Sequence, residues 1–197
     1  MRIRQYSNVT TALPSLSRML AFKEVIQMPK PKTLFIVRHA KSSWGDAGLE
    51  DRDRPLNGRG KEEAPKMGKH LAGYDVKPEM ITSSPAVRAL KTAEKIAKEL
   101  GFKKSDVKVD EGIYTFNGGS LMDVVKGFDD KYRSVMMVGH NPAITSFVNE
   151  LSNAGIDNVP TCGVVLLEFD ARKWKDVGKG GGRLLEFDYP KKLWGKA

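Results

Sequence analysis

Two histidines and one arginine of this 197-residue chain stand where short apolar runs end, and a second arginine stands in the first turns of a helical stretch. Arg38 and His39 follow "LFIV" in TLFIVRHAKSSW (33–44), and His140 follows "VMMVG" in SVMMVGHNP (134–142). Arg88 lies in SSPAVRALKTA (83–93). Cations are seldom buried without a partner, so a greasy run that delivers Arg-His to its end aims them at a ligand. Guanidinium groups are planar, permanently charged forks that suit phosphate oxygens. Imidazole is a competent nucleophile, and a phosphoryl group placed on it can be cleared by water. The chemistry predicted by this set is phosphoryl transfer.

The elements that must position these residues are legible in outline. "TLFIVR" reads as a central, parallel-type strand, and "EMITSS", "VKVD" and "SVMMVGH" as further strands. A helix is predicted from Asn57 or Gly58 through Leu71, despite Pro65. PAVRALKTAEKIAKEL carries Val87, Leu90, Ala93, Ile96, Ala97 and Leu100 on one face, with Pro85 in its first turn and Gly101 as its stop. "SLMDVVKGF" reads as a helix opened by Ser120, and "PAITSFVNELS" as another. "CGVVLLEF" and "RLLEFDY" read as late, paired strands. Alternating strands and helices predict an α/β sandwich with a mostly parallel central sheet. Ligands bind at the carboxyl ends of such strands, which is where His39 and His140 are delivered.

Composition limits the alternatives. The length suits one domain with a real core. No window approaches an 18-residue apolar run, which excludes a transmembrane helix. Cys162 is the single cysteine, so no internal disulfide forms, and a reducing, cytoplasmic compartment fits; its setting before an apolar run marks a small buried side chain. The net charge of +9 belongs to the ends: residues 1–32 carry six basic and one acidic side chain and residues 171–197 eight and three, while 33–170 hold nineteen and twenty. Solvated tails rather than a nucleic-acid stripe follow from that distribution. Residues 1–27 are nearly free of acid and contain Arg and Ser/Thr, as in an organellar transit peptide, or else precede a working start at Met28. An extension over 1–29 and a domain over 30–197 are therefore expected.

"RHAKSSW" resembles the Arg-His-Gly signature of the histidine phosphatase superfamily, the branch shared with cofactor-dependent phosphoglycerate mutases. SSPAVRALKTA is similar to its second-arginine motif and "VGHNP" to its second-histidine motif, while DRDRPLNGRG (51–60) resembles the short, SixA-type phosphohistidine phosphatases. The four motifs arrive in the family's order and cover roughly residues 32–188. The resemblance implies a phosphoglycerate mutase-like three-layer sandwich, with His39 as the phosphorylated nucleophile and Arg38, Arg88 and His140 holding the phosphoryl oxygens. It assigns Arg54, Ser42 and Asn141 to substrate binding, and Glu111 in "VKVDEGIY" falls near the place of a general acid. Ala40 replaces the usual glycine, and Gly45 stands where many members carry a phosphate-contacting asparagine.

The implied activity is a metal-independent, cofactor-free phosphoric monoester or phosphohistidine hydrolase. Its partner is a phosphorylated protein or a small phosphorylated metabolite, with no nucleic acid and no membrane. A mutase or small-metabolite phosphatase is the enzyme rival, and a non-catalytic phosphate-binding module the rival of another class. No pair of the three histidines has metal-ligand spacing, and cysteine support is absent. His70, beside Lys66 and Lys69, reads as a surface residue. "GKGGGR" (178–183) lacks the Lys-Ser/Thr pairing of a phosphate loop and reads as a hairpin connection.

Overall fold

The computed structural model describes residues 31–45 and 47–195. The expected extension over 1–29, with its transit-peptide and alternative-start readings, lies outside the described residues. The elements run in order as β1 (Lys32–Arg38), α1 (Gly58–Leu71), β2 (Met80–Ser83), α2 (Val87–Glu99), β3 (Val107–Val109), α3 (Gly118–Lys126), β4 (Ser134–Gly139), α4 (Ala143–Ser152), β5 (Val164–Phe169), β6 (Gly182–Asp188) and α5 (Pro190–Trp194).

One six-stranded sheet has the order β3-β2-β4-β1-β5-β6. The first four positions are parallel, and β5 and β6 join antiparallel. β1 therefore sits on the boundary, parallel to β4 and antiparallel to β5. Its continuous apolar run is explained by burial on both faces. Leu34 and Ile36, with Val135 and Met137 of β4, pack into a core with Leu121 and Val125 of α3 and Phe147 of α4. Phe35 and Val37, with Met136 and Val138, pack instead against Met67 of α1 and Ala93 and Ile96 of α2. The two-residue period of the strands thus divides one sheet between two helical layers. The three-layer α/β sandwich expected from the sequence is the observed architecture.

Two local boundaries differ from the sequence reading. α3 opens at Gly118 rather than Ser120, because the Asn117 side chain accepts the N–H of Gly119 at 3.0 Å and caps the helix two residues early. The glycine run at 178–183 does lie in the connection of an antiparallel pair, as read, but that connection is long: β5 ends at Phe169 and β6 resumes at Gly182, with a 3-10 turn over Trp174–Asp176 between them. α2 ends as expected at Gly101, whose φ of +85° is a conformation that favours glycine.

Candidate active site

The β1–β4 register pairs Arg38 with Gly139, so the next residue of each strand is a histidine. The N–H of His39 donates to the Gly139 carbonyl at 3.0 Å, and the two imidazole centroids lie 5.1 Å apart. β2 ends one step away: the N–H of Ser84 donates to the carbonyl of Val138, and Ser84 Oγ lies 2.7 Å from His140 Nε2. Three parallel strand ends therefore build one floor, as expected for a sheet of this kind.

His39 is 9% exposed. Its Nδ1 lies 2.8 Å from the carbonyl oxygen of Ala40, an atom that only accepts, so Nδ1 carries the hydrogen and Nε2 keeps its lone pair. Burial, reinforced by the positive charges of Arg88, Arg38 and Arg54, holds its pKa down at about 4 against the accepting carbonyl's opposite pull. Burial likewise lowers His140 to about 3, helped by His39 and Arg88. Both rings are neutral at pH 7. His140 Nδ1, Arg38 Nε and Arg88 Nε are buried polar atoms with no partner among the described residues.

Arg88, at the start of α2, is 3% exposed, which overrules a surface arginine. Its Nη2 donates to Asp51 Oδ2 at 2.7 Å and its Nη1 to the Asp51 carbonyl. Arg54 donates to Asp51 Oδ1 at 2.8 Å, Ser42 Oγ at 2.9 Å and the Ser43 carbonyl at 3.1 Å. Arg54 thus lines the cleft and pairs with Asp51 at the same time. Burial alone would raise the Asp51 carboxyl, but hydrogen bonds from Arg88, Arg54 and Tyr114 carry it down to about 2. By spacing, Asp51 or Asp53 can pair with Arg54 within the loop, but the contact of Asp51 with Arg88 carries no sequence signal.

Arg38 is steered from a different direction. Its Nη1 donates to the Val159 carbonyl at 2.9 Å and reaches Asn158 Oδ1 at 3.4 Å. Asn141 holds the same loop: Nδ2 donates to Asn158 Oδ1 at 2.9 Å and to the Val159 carbonyl at 3.2 Å, while Oδ1 accepts from Thr145. Asn141 lines the cleft, but its amide is engaged by the protein, which suits positioning of the Arg38 loop more than a direct substrate contact. Thr92 ties the two arginine elements together. Its Oγ1 accepts the N–H of Ala40 at 2.9 Å and donates to the Arg88 carbonyl at 2.7 Å, at 0% exposure. Neither Thr92 nor Asn158 carries a sequence signal of its own, since a helix-face threonine and a loop asparagine are ordinary.

The cleft so formed encloses about 260 Å³ and is lined by Arg38, His39, Arg54, Arg88 and His140, with Ser42, Asp51 and Asn141 on its walls and Trp44 and Phe116 at its edge. Glu111 is not among its lining residues. Its carboxylate accepts from Arg52 at 2.6 Å and its side chain is 68% exposed, so the acid expected beside the nucleophile is instead a surface ion-pair partner. The connection from β3 turns away through the 3-10 turn Glu111–Ile113, which buries Ile113 and leaves Glu111 outside.

Cys162 is fully buried, and burial pushes its thiol up, as suits a packing residue. Its backbone N–H is shared by the carbonyls of Arg38 and His39. His70 is not a free surface residue: its Nε2 lies 2.6 Å from Asp188 Oδ2, where Tyr74 and Lys192 also converge. That partner is 118 residues away, beyond the reach of helical spacing.

Residues 34–124 match the family profile of the histidine phosphatase superfamily (branch 1). An uncharacterized chloroplastic protein of Arabidopsis thaliana is 30% identical over 165 residues, spanning 78% of this chain and 75% of its own. Among solved structures, the putative phosphohistidine phosphatase SixA from Agrobacterium tumefaciens superposes with a TM-score of 0.69 at 25% identity, over 81% of this chain and 99% of its own. A protein histidine phosphatase SixA solved in complex with tungstate shares the fold at a TM-score of 0.69 and 24% identity, over 82% and 99%.

Proposed function

Because this chain belongs to branch 1 of the histidine phosphatase superfamily, with SixA-type neighbours, we propose that it dephosphorylates protein phosphohistidine through a covalent phospho-His39 intermediate. The observation that carries the reading is the tautomer of His39: Nδ1–H is spent on the Ala40 carbonyl, and the unprotonated Nε2 shares a cleft with Arg38, Arg88 and His140. In the first step the Nε2 lone pair forms a bond to phosphorus, and the P–N bond of the substrate breaks with its electron pair passing to the leaving imidazole. The leaving nitrogen takes its proton from solvent, since an imidazole leaves with less proton assistance than an alkoxide. In the second step water attacks phosphorus, the P–Nε2 bond breaks, inorganic phosphate leaves, and His39 returns to the neutral form. Arg38, Arg88 and His140 hold the three oxygens, where charge is stabilised as it redistributes. Arg54 and Ser42 extend that grip along one wall.

The size of the cleft supports a presented side chain over an enclosed metabolite. About 260 Å³ lies below the roughly 300–1,000 Å³ of sites that engulf a whole small ligand. The lone buried cysteine agrees with action in a reducing compartment, the cytoplasm.

The test is phosphate release by the full chain with EDTA present, comparing wild type with His39→Ala on a phosphohistidine peptide and on a phosphorylated sugar. Turnover of the peptide by wild type alone, with a phosphoryl label on the enzyme that survives alkali and is lost in acid, is the expected result. Preference for the sugar would favour the metabolite phosphatase; transfer to a second hydroxyl would favour the mutase. Phosphate binding with no turnover of any kind would leave the non-catalytic module.

A further inference from the structure

Two large aromatic side chains stand at the mouth of the cleft on separate loops. Trp44, between β1 and α1, is 76% exposed, and Phe116, just before α3, is 61% exposed. Both line the cleft that holds His39 and His140. The Trp44 ring is backed by the Arg54 guanidinium, whose central carbon lies 3.2 Å from the ring centroid. Phe116 is backed by Tyr114 at a centroid distance of 6.2 Å, and Tyr114 stands edge-on to His140 at 5.4 Å. Each ring is thus fixed to a residue of the site while remaining open to solvent.

Resting on the reading above, we propose that Trp44 and Phe116 clamp the leaving group, so that the site selects phosphoryl groups carried on a flat unsaturated ring over those carried on a saturated alcohol. In-line displacement puts the leaving group opposite the His39 nucleophile, and so at the mouth, where these two rings are. The other lining residues not yet given a part in the phosphate floor, Lys41, Asn141 and Thr161, are polar and offer no aliphatic wall for a saturated chain. A flat ring gains contact with an aromatic face, and an imidazole that takes up a proton as the P–N bond breaks gains cation–π attraction as well. The stacking is present from the bound substrate onward, and the cation–π part grows toward the transition state for phosphohistidine. Neither is available to a phosphorylated serine or glycerol.

Equilibrium binding to the full chain separates this proposal from the activity itself. The probes are phenylphosphonate, ethylphosphonate and inorganic phosphate, and the proteins are wild type, Trp44→Leu and Phe116→Leu; leucine keeps apolar bulk and removes only the ring. Wild type is expected to bind phenylphosphonate about three- to tenfold more tightly than ethylphosphonate, the range of one or two aromatic contacts. Each substitution should bring that ratio toward one. Inorganic phosphate has no leaving group and reads the floor alone, so it reports any displacement of Arg54 in Trp44→Leu. Equal affinities in wild type, a ratio that survives both substitutions, or a loss of phosphate affinity as large as that of phenylphosphonate would each overturn the clamp. A chain that prefers phenylphosphonate yet fails to hydrolyse phosphohistidine would keep the clamp and refute the substrate assignment.

Discussion

Asp51 Oδ2 lies 2.7 Å from Arg88 Nη2, and the other oxygen of the same carboxylate lies 2.8 Å from Arg54 Nη1. A side chain of the protein thus takes two of the three guanidinium groups that line the cleft, and its negative charge lies where, on the proposed function, phosphate oxygens would bind. Asp51→Asn removes the charge and keeps the shape. Partly exposed ion pairs are worth about 0.5–1 kcal/mol, so inorganic phosphate should inhibit the variant about two- to fivefold more tightly. Weaker inhibition, read from competition kinetics, would mean that Asp51 mainly orients the arginines.

On the proposed mechanism, the pH profile follows from the burial of His39. Protonation of Nε2 removes the attacking lone pair, and burial places that event at about pH 4 rather than near 6.5. For the enzyme groups, kcat/KM should hold level from pH 8 down to about 5 and fall only below that. An acid limb centred near 6.5, after correction for the ionisation of the substrate, would contradict a buried neutral His39.

Stability should fall over a different interval. His39 and His140 both have depressed folded-state values, about 4 and about 3, against 6.5 in the unfolded chain. Between those values the unfolded chain binds protons that the folded chain does not, so stability is full above pH 6.5 and is lost as pH falls toward 4. Asp51 adds a further loss only below about pH 4, since its folded value is depressed to about 2. Thermal melts should show a midpoint that declines from pH 6.5 to 4, and His140→Asn should flatten part of that decline.

Thr92→Val probes the link between the two arginine elements. Valine matches the shape but cannot accept from the buried Ala40 N–H, and an unsatisfied buried donor costs about 1–3 kcal/mol. The melting midpoint should drop by roughly 2–10 °C. Because Ala40 also accepts from His39, kcat should fall more than KM rises. An unchanged kcat would show that His39 needs no support from this side.

The parts of the fold that were legible are those that depend on near neighbours. The apolar runs of β1 and β4 and the 3.6-residue stripe of α2 follow from local spacing, and strand-end reasoning brought His39 and His140 together. What escaped depends on distant partners. Asp51 looked like one charge among several in DRDRPLN, and only its contacts with Arg88 and Tyr114 give it a place in the site. The Asp188 partner of His70 and the Asn158 partner of Arg38 are both more than a hundred residues away in sequence. For Glu111 the place after the third strand suits a general acid and a solvated strand-end carboxylate alike, and the turn over Glu111–Ile113, a matter of local backbone path, leaves it the solvated one.

The place of β1 in the sheet has a consequence for biosynthesis. Thr33 pairs with Ser134 on one side and Glu168 on the other, so both walls of the nucleophile strand come from sequence a hundred or more residues later. Such long-range pairing is entropically late. On the ribosome, His39 emerges among the first parts of the domain yet stays an ordinary solvated histidine until β4 and then β5 are translated. A chain interrupted before β5 lacks one of the two strands beside β1, and with it the buried setting of His39. On the proposed mechanism, the nucleophile is therefore assembled only when the domain is nearly complete.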